Sequence, residues 1–199
     1  MTNATGFAPR AVLADRLRTR GLATDAALIA GGALFTAGMA QVEVPMWPVP
    51  MTGQTLAVVL VGASLGARRG TLSLLLYAVV GLLGLPVFAD HAGGLASLTS
   101  PSFGYVIGFV VAAGVVGWLA ERDWDKHFVR AAGAMLLASA IPFVFGLPWL
   151  AVVLGQLGAP NDLQSVLAAG FYPFIVGGVA KALIAAGALS LAWKALGRR

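Results

Sequence analysis

The sequence predicts an all-α polytopic membrane protein with six transmembrane helices, on three observations. Charged residues make up only 11% of the 199-residue chain, where a soluble domain carries about 25%. Hydrophobic residues are 59% without counting the 26 glycines, and the mean hydropathy is +0.87, so there is too little polar surface to cover a water-facing globule. The basic residues, finally, fall on one set of alternating loops, as an even number of spans requires. At about 20 residues per span, six spans use about 120 residues and leave about 80 for loops and ends, which leaves no room for a second domain.

Apolar runs bounded by charge or by Pro and Gly place the spans at about 25–42, 54–67, 71–89, 102–120, 131–155 and 171–193. Residues 1–24 then form a cytoplasmic N-terminal segment and 25–199 the membrane domain. The first span carries small residues at four-residue spacing (Ala26/Ala30, Ala33/Ala37, Gly32/Thr36/Ala40), a stripe that lets another helix backbone approach closely, whether inside the bundle or from a partner. The second span is short, and the apolar segment before it, Val44–Met51, holds three prolines and cannot be a regular helix. It is expected as an ordered loop at the membrane surface or folded back into the protein. Arg68 and Arg69 open the third span, Pro101-Ser102 the fourth and Arg130 the fifth, while the sixth contains Lys181.

Twelve of the thirteen Lys and Arg (Arg10, Arg16, Arg18, Arg20, Arg68, Arg69, Arg122, Lys126, Arg130, Lys194, Arg198, Arg199) lie on the side of the termini. The opposite loops have none and carry Glu43, Asp90 and Asp162, so the positive-inside rule puts both termini in the cytoplasm of a cell whose cytoplasmic (inner) membrane holds the protein. Trp118 and Trp193 near one boundary, and Tyr105, Trp149 and Tyr172 near the other, fit aromatic belts or core packing equally. Read as a signal peptide, the N-terminal stretch would leave five spans and break the charge pattern.

The composition and motifs argue against several functions. The net charge of +5 comes without a basic run interleaved with aromatics, so nucleic acid is not the partner; the bilayer is. Zero cysteine removes thiolate chemistry, and no HExxH or clustered His/Asp/Glu set offers a metal site. His91 and His127 lie on opposite sides of the membrane. Ser64 and Ser73 sit on spans without a histidine and read as packing contacts. Asp90-His91 is the only acid–imidazole neighbour pair, and adjacent side chains seldom face one another usefully. There is no phosphate loop, so any ATP-driven step belongs to another chain, and no inverted repeat speaks for a self-contained transporter. The expectation is a protein that is not an enzyme and has no cofactor of its own.

Lys181 is the one charge well inside a span, about 15 Å deep at 1.5 Å per residue, with no acidic residue in the middle of any span to pair with it. Such a lysine faces a polar cavity, and a small carboxylate ligand is its expected partner. A second concentration joins Gly84–Gly94 to Pro101–Tyr105, where Gly93 and Gly94 permit close backbone approach and Phe88, Phe103 and Tyr105 are placed to flank a ring. Gln54, after the proline loop, reads as a helix-end cap or a pocket donor.

At these residues the sequence resembles the BioY family, the biotin-specific S components of energy-coupling factor (ECF) transporters. The resemblance rests on Pro48–Leu56, on Gly84–Ala89 with Gly93-Gly94, on Pro101–Tyr105 and on Pro173–Gly177 leading to Lys181, in the expected order across about 26–193. It implies a six-helix S-component bundle binding biotin for uptake in a pocket on the outer side, closed by the loop after the first helix, with Lys181, Asp90, Gln54, Phe88, Phe103, Tyr105, Gly93 and Gly94 at the site. It also implies coupling to a transmembrane subunit and two ATPase subunits through a small-residue stripe on the first helix, taken as Ala33/Ala37 with Ala26/Ala30 as second choice; self-association of the chain stays open. An S component or small transporter for another carboxylate-bearing vitamin, or an intramembrane enzyme, are the alternatives. One residue departs from the family: an Asp usually stands three residues before the lysine, where this chain has Gly178, and Asp90 is the expected substitute acceptor for the ureido N–H groups of biotin.

Overall fold

The computed structural model describes residues 11–16 and 21–197, so Arg10, Arg18, Arg20, Arg198 and Arg199 lie outside the described residues. The apolar runs become helices α1 (Leu22–Ala40), α2 (Gln54–Leu65), α3 (Ala67–Leu82), α4 (Phe103–Ala120), α5 (Phe128–Gln156), α6 (Leu163–Gly170) and α7 (Tyr172–Ala195). Six of these correspond to the expected spans. Four runs have the length and apolarity of a membrane span: Leu22–Ala40, Phe103–Ala120, Phe128–Gln156 and, taken as one, Leu163–Ala195. The other two are shorter, α2 for a reason visible in the sequence. α2 has 12 residues, about 18 Å, because Pro45, Pro48 and Pro50 stop a helix from starting earlier.

That proline segment folds back into the protein. It forms a two-stranded antiparallel ribbon, β1 (Glu43–Val44) against β2 (Met51–Thr52), with Val49 at its tip side buried in the core at 5% exposure. α3 has 16 residues and ends at Leu82, earlier than expected, and the chain from 83 to 102 crosses the end of the bundle in two short 3-10 turns. The sequence reading did not foresee α6, a two-turn helix capped by Asp162, whose Oδ1 accepts from the backbone N–H of Gln164 and of Ser165 at 3.1 and 3.2 Å.

α4 is the central helix, packed against α2, α3 and α5, and small residues let it approach all three. A Cβ on Gly108 would meet Pro142 Cα of α5 at 2.5 Å, and one on Gly62 of α2 would meet the Ala113 carbonyl at 2.5 Å. Two prolines lie inside the 29-residue α5, and buried Pro142 packs its backbone against Gly108 rather than against lipid. One apolar core, with Leu74, Tyr77, Phe103, Tyr105 and Leu150, occupies the half nearer the proline ribbon. A second, with Met135, Ala182, Ala186 and Leu189, occupies the half nearer the basic loops.

At the basic end, Arg69 bridges Asp15 at 2.9 Å and Asp25 at 2.8 Å, and Val12 is buried in the second core, so part of the N-terminal segment packs onto the bundle. Trp193 is buried and donates to Asp125 at 2.5 Å, a packing role, whereas Trp118 is 48% exposed beneath the Arg122 guanidinium, as a belt residue would be. Ser73 is fully buried and donates to the Arg69 carbonyl at 2.9 Å, a packing role as expected.

Candidate functional site

The short α2 and the early end of α3 leave a space at the end of the bundle without basic residues, roofed by the proline ribbon and the 83–102 segment. It is a cavity of about 590 Å³, lined by residues of the proline ribbon, the start of α2, the 83–102 segment, α4, α5 and α7. Volumes of about 300–1,000 Å³ with mostly apolar walls and a few convergent polar groups are typical of small-molecule sites.

Its walls are aromatic. Tyr105 stacks edge-on to Phe143 at 5.8 Å and lies 6.5 Å from Phe174, while Phe88 and Phe103 meet edge to face at 6.3 Å. Each ring is itself held. The Tyr105 hydroxyl donates to the Gly170 carbonyl at 2.9 Å, and Phe88 packs on Tyr77 at 5.4 Å over Gly81, where no side chain would fit.

The polar groups are linked across four elements, β2, α2, α3 and α7. Lys181 Nζ donates to the Thr52 carbonyl at 2.5 Å and to Thr55 Oγ1 at 3.2 Å. Thr52 Oγ1 donates to Gln54 Oε1 at 2.7 Å, and Gln54 Nε2 donates to the Tyr77 hydroxyl at 2.6 Å. Gln54 therefore neither caps its helix nor reaches freely for a ligand; it braces the ribbon that carries Thr52. An ammonium has three N–H groups. Two of those on Lys181 are used, and among the described residues the third has no partner, in a side chain that lines the cavity.

Asp90 lines the mouth and is exposed. It and His91 both have left-handed backbones, φ 56° and 52°. Gln41 holds that turn: its Nε2 donates to the Phe88 carbonyl at 2.9 Å and its Oε1 accepts from the His91 N–H at 3.2 Å. His91 does not line the cavity, so the Asp90-His91 pair is not presented to it. Gly93 does line it, with the Leu85 carbonyl where a Cβ would stand. Gly94 does not; its N–H donates to the Gly81 carbonyl at 2.7 Å and its φ is 83°, so it shapes the turn.

Of the residues singled out from sequence, Lys181, Asp90, Gln54, Phe88, Phe103, Tyr105 and Gly93 thus meet at one cavity. Sequence reasoning missed Glu43, Thr52, Thr55, Phe143 and Gln41. Ala33 and Ala37 lie elsewhere and face inward: Ala33 is 7% exposed in the core and Ala37 packs against it. The exposed small residues of α1 are instead Ala23, Ala26, Ala27, Gly31 and Gly38. A four-residue spacing fixes a stripe but not the side of the helix that meets the bundle.

The sequence matches the BioY family over residues 10–198. A probable biotin transporter BioY of Pyrococcus horikoshii is 33% identical, covering 82% of this chain and 92% of that protein. The biotin transporter BioY of Rhizobium etli is 36% identical over 70% of this chain and 75% of its own length, and that of Thermotoga maritima 34% over 77% and 86%. The crystal structure of the S-component for biotin from an ECF-type ABC transporter superposes with a TM-score of 0.72 on 85% of this chain and 90% of that one, at 24% identity, and so shares the fold. A match that runs from before α1 to beyond α7 takes in every element around the cavity, and the chain belongs to the BioY family.

Proposed function

We propose that this protein binds biotin in the cavity from the outer side of the cytoplasmic membrane and delivers it for uptake as the substrate-specific component of an ECF-type transporter. The observation that carries the reading is the placement of Lys181, an ammonium with one unspent N–H, inside an aromatic-walled cavity of a BioY-family chain. A bicyclic ligand with an apolar ring sulfur and an acid-bearing chain suits such a site: rings between the aromatic walls, carboxylate on Lys181. The resemblance assigns ATP hydrolysis to partner subunits, and no residue of this chain is given a catalytic role.

Coupling to the transmembrane partner is assigned to the exposed face of α1, around Ala26, Ala27, Gly31 and Gly38, in place of the inward-facing Ala33/Ala37. Backbones approach closely where side chains are small, and a Cβ on Gly31 or Gly38 meets nothing within 4 Å. Equilibrium binding of biotin to the pure, detergent-solubilised protein tests the central reading. Saturable binding is the expected result, and a folded, monodisperse preparation that takes up no biotin overturns it.

A further inference from the structure

Glu43 is the one acid of the cavity whose surroundings the sequence reading left unexplained. It lies on β1 directly opposite Thr52 of β2, the residue whose carbonyl accepts from Lys181 Nζ. The register is reinforced just beyond, where the Gly53 N–H donates to the Val42 carbonyl at 2.8 Å. The ribbon therefore fixes an acid beside the residue on which the partly buried Lys181 ammonium is moored, and Glu43 and Lys181 line the same cavity.

Glu43 Oε2 is shielded from solvent and has no hydrogen-bond partner, and Glu43 takes part in no ion pair among the described residues. A carboxylate oxygen withdrawn from water without a donor is unfavourable, and it persists where a ligand brings the donor. Asp90 differs in its exposure: it lies at the mouth, where water supplies donors to its oxygens. Gly178, on the same wall as Lys181, adds no polar group, and a Cβ there would meet nothing within 4 Å.

We propose that Glu43, and not Asp90, is the acceptor inside the cavity for an N–H of the bound ligand, which on the biotin reading is an N–H of its cyclic urea. A ligand with a donor ring at one end and an anionic group at the other then finds an acid for the first and Lys181 for the second. An ionised acceptor makes the stronger hydrogen bond, and more so for a cationic donor.

The experiment measures equilibrium binding of biotin, of 2-iminobiotin, in which a guanidinium replaces the urea, and of biotin methyl ester. Wild type, E43Q and D90N are compared. E43Q keeps the shape of the side chain and is expected to weaken biotin about tenfold and iminobiotin further, so that the iminobiotin-to-biotin dissociation-constant ratio rises. The acid-to-ester ratio should not move, because it reports on Lys181. D90N should not raise the iminobiotin-to-biotin ratio, whatever it does to the affinities themselves, because water screens its carboxylate. Each ratio is read on the folded fraction alone, so reduced yield of E43Q does not mimic the result. An unchanged iminobiotin ratio in E43Q, or its rise in D90N instead, overturns the assignment. The proposal rests on the biotin reading, and the outcomes separate: wild type that fails to bind biotin overturns both, whereas wild type that binds and E43Q that behaves like it overturn Glu43 alone.

Discussion

A lysine held by one backbone carbonyl and one threonine hydroxyl is an incomplete site. Among the described residues Lys181 Nζ has two neutral acceptors and no ion pair, so an arriving anion would supply its direct counter-charge. Removing one partner of such a shielded pair typically costs about 2–5 kcal/mol, so Lys181→Met should weaken biotin about 30-fold or more. It should also erase most of the difference between biotin and its methyl ester. A variant that still prefers the free acid as strongly as wild type would move the carboxylate elsewhere. Asp125, in the turn between α4 and α5, gives a test at the other end. Burial holds its carboxyl above the ordinary range despite the bond from Trp193 Nε1, and among the described residues its Oδ1 has no hydrogen-bond partner. A carboxyl whose folded pKa is raised binds its proton more tightly in the folded state. The resulting stability is full below the unfolded value and is lost as pH rises through the raised one. Asp125→Asn keeps an acceptor for Trp193 and removes the desolvated charge, so its thermal midpoint in detergent at neutral pH should match or exceed wild type and vary less between mildly acidic and neutral pH. A lower midpoint at neutral pH would mean that the ionised form is the one the fold uses.

Helices in lipid gain little from apolarity alone, so their packing is read from where small residues meet. Gly62 and Gly31 make a matched pair. A Cβ on Gly62 would meet the Ala113 carbonyl and Val116 Cγ1 at 2.5 Å each, whereas one on Gly31 meets open space. Gly62→Ala should therefore lower the thermal midpoint, by an overpacking cost of about 1–3 kcal/mol, and Gly31→Ala should leave it equal or higher. Gly31→Leu should also leave biotin binding intact while reducing ATP-driven uptake, because a bulky side chain there meets only a partner; unchanged uptake would place the coupling face elsewhere. The same contrast shows what the sequence could convey. Hydropathy runs of span length reveal α1, α4, α5 and α7 because burying backbone in lipid demands them. They do not reveal which face of α1 is inside, and so the inward Ala33 and the outward Gly31 look alike. α6 had a signal in Asp162 as N-cap, masked by the apolar run that continues through Phe171. The aromatic and cationic members of the site were legible because a lysine in a span and rings beside glycines are unusual. Glu43 was not, since a charge in a loop ordinarily faces water, and only the ribbon register turns it inward. Phe143 and Gln41 had no signal at all: one is a phenylalanine among many apolar residues, the other bridges to a turn 47 positions away.

The whole molecule is polarised. The cavity opens at the end whose loops contain no Lys or Arg, while Arg68, Arg69, Arg122, Lys126 and Arg130 gather at the other. If the positive-inside rule governs this chain, the cavity faces outward and the Arg69 bridge to Asp15 and Asp25 faces the cytoplasm. Three single cysteines in a chain that otherwise has none decide this cleanly. Thr99 and Asn161 are exposed at the cavity end, and Arg68 is exposed at the basic end and, unlike Arg69, holds no ion pair with Asp15 or Asp25. Thr99→Cys and Asn161→Cys should react with a membrane-impermeant thiol reagent in intact cells, and Arg68→Cys only after the membrane is opened. Saturating biotin should leave the Asn161→Cys rate unchanged, because Asn161 is outside the cavity, and should slow a fourth variant, Ser97→Cys, whose position lines it. Labelling of Arg68→Cys from outside would invert the orientation, and protection of Ser97→Cys that biotin does not alter would remove the ligand from this cavity.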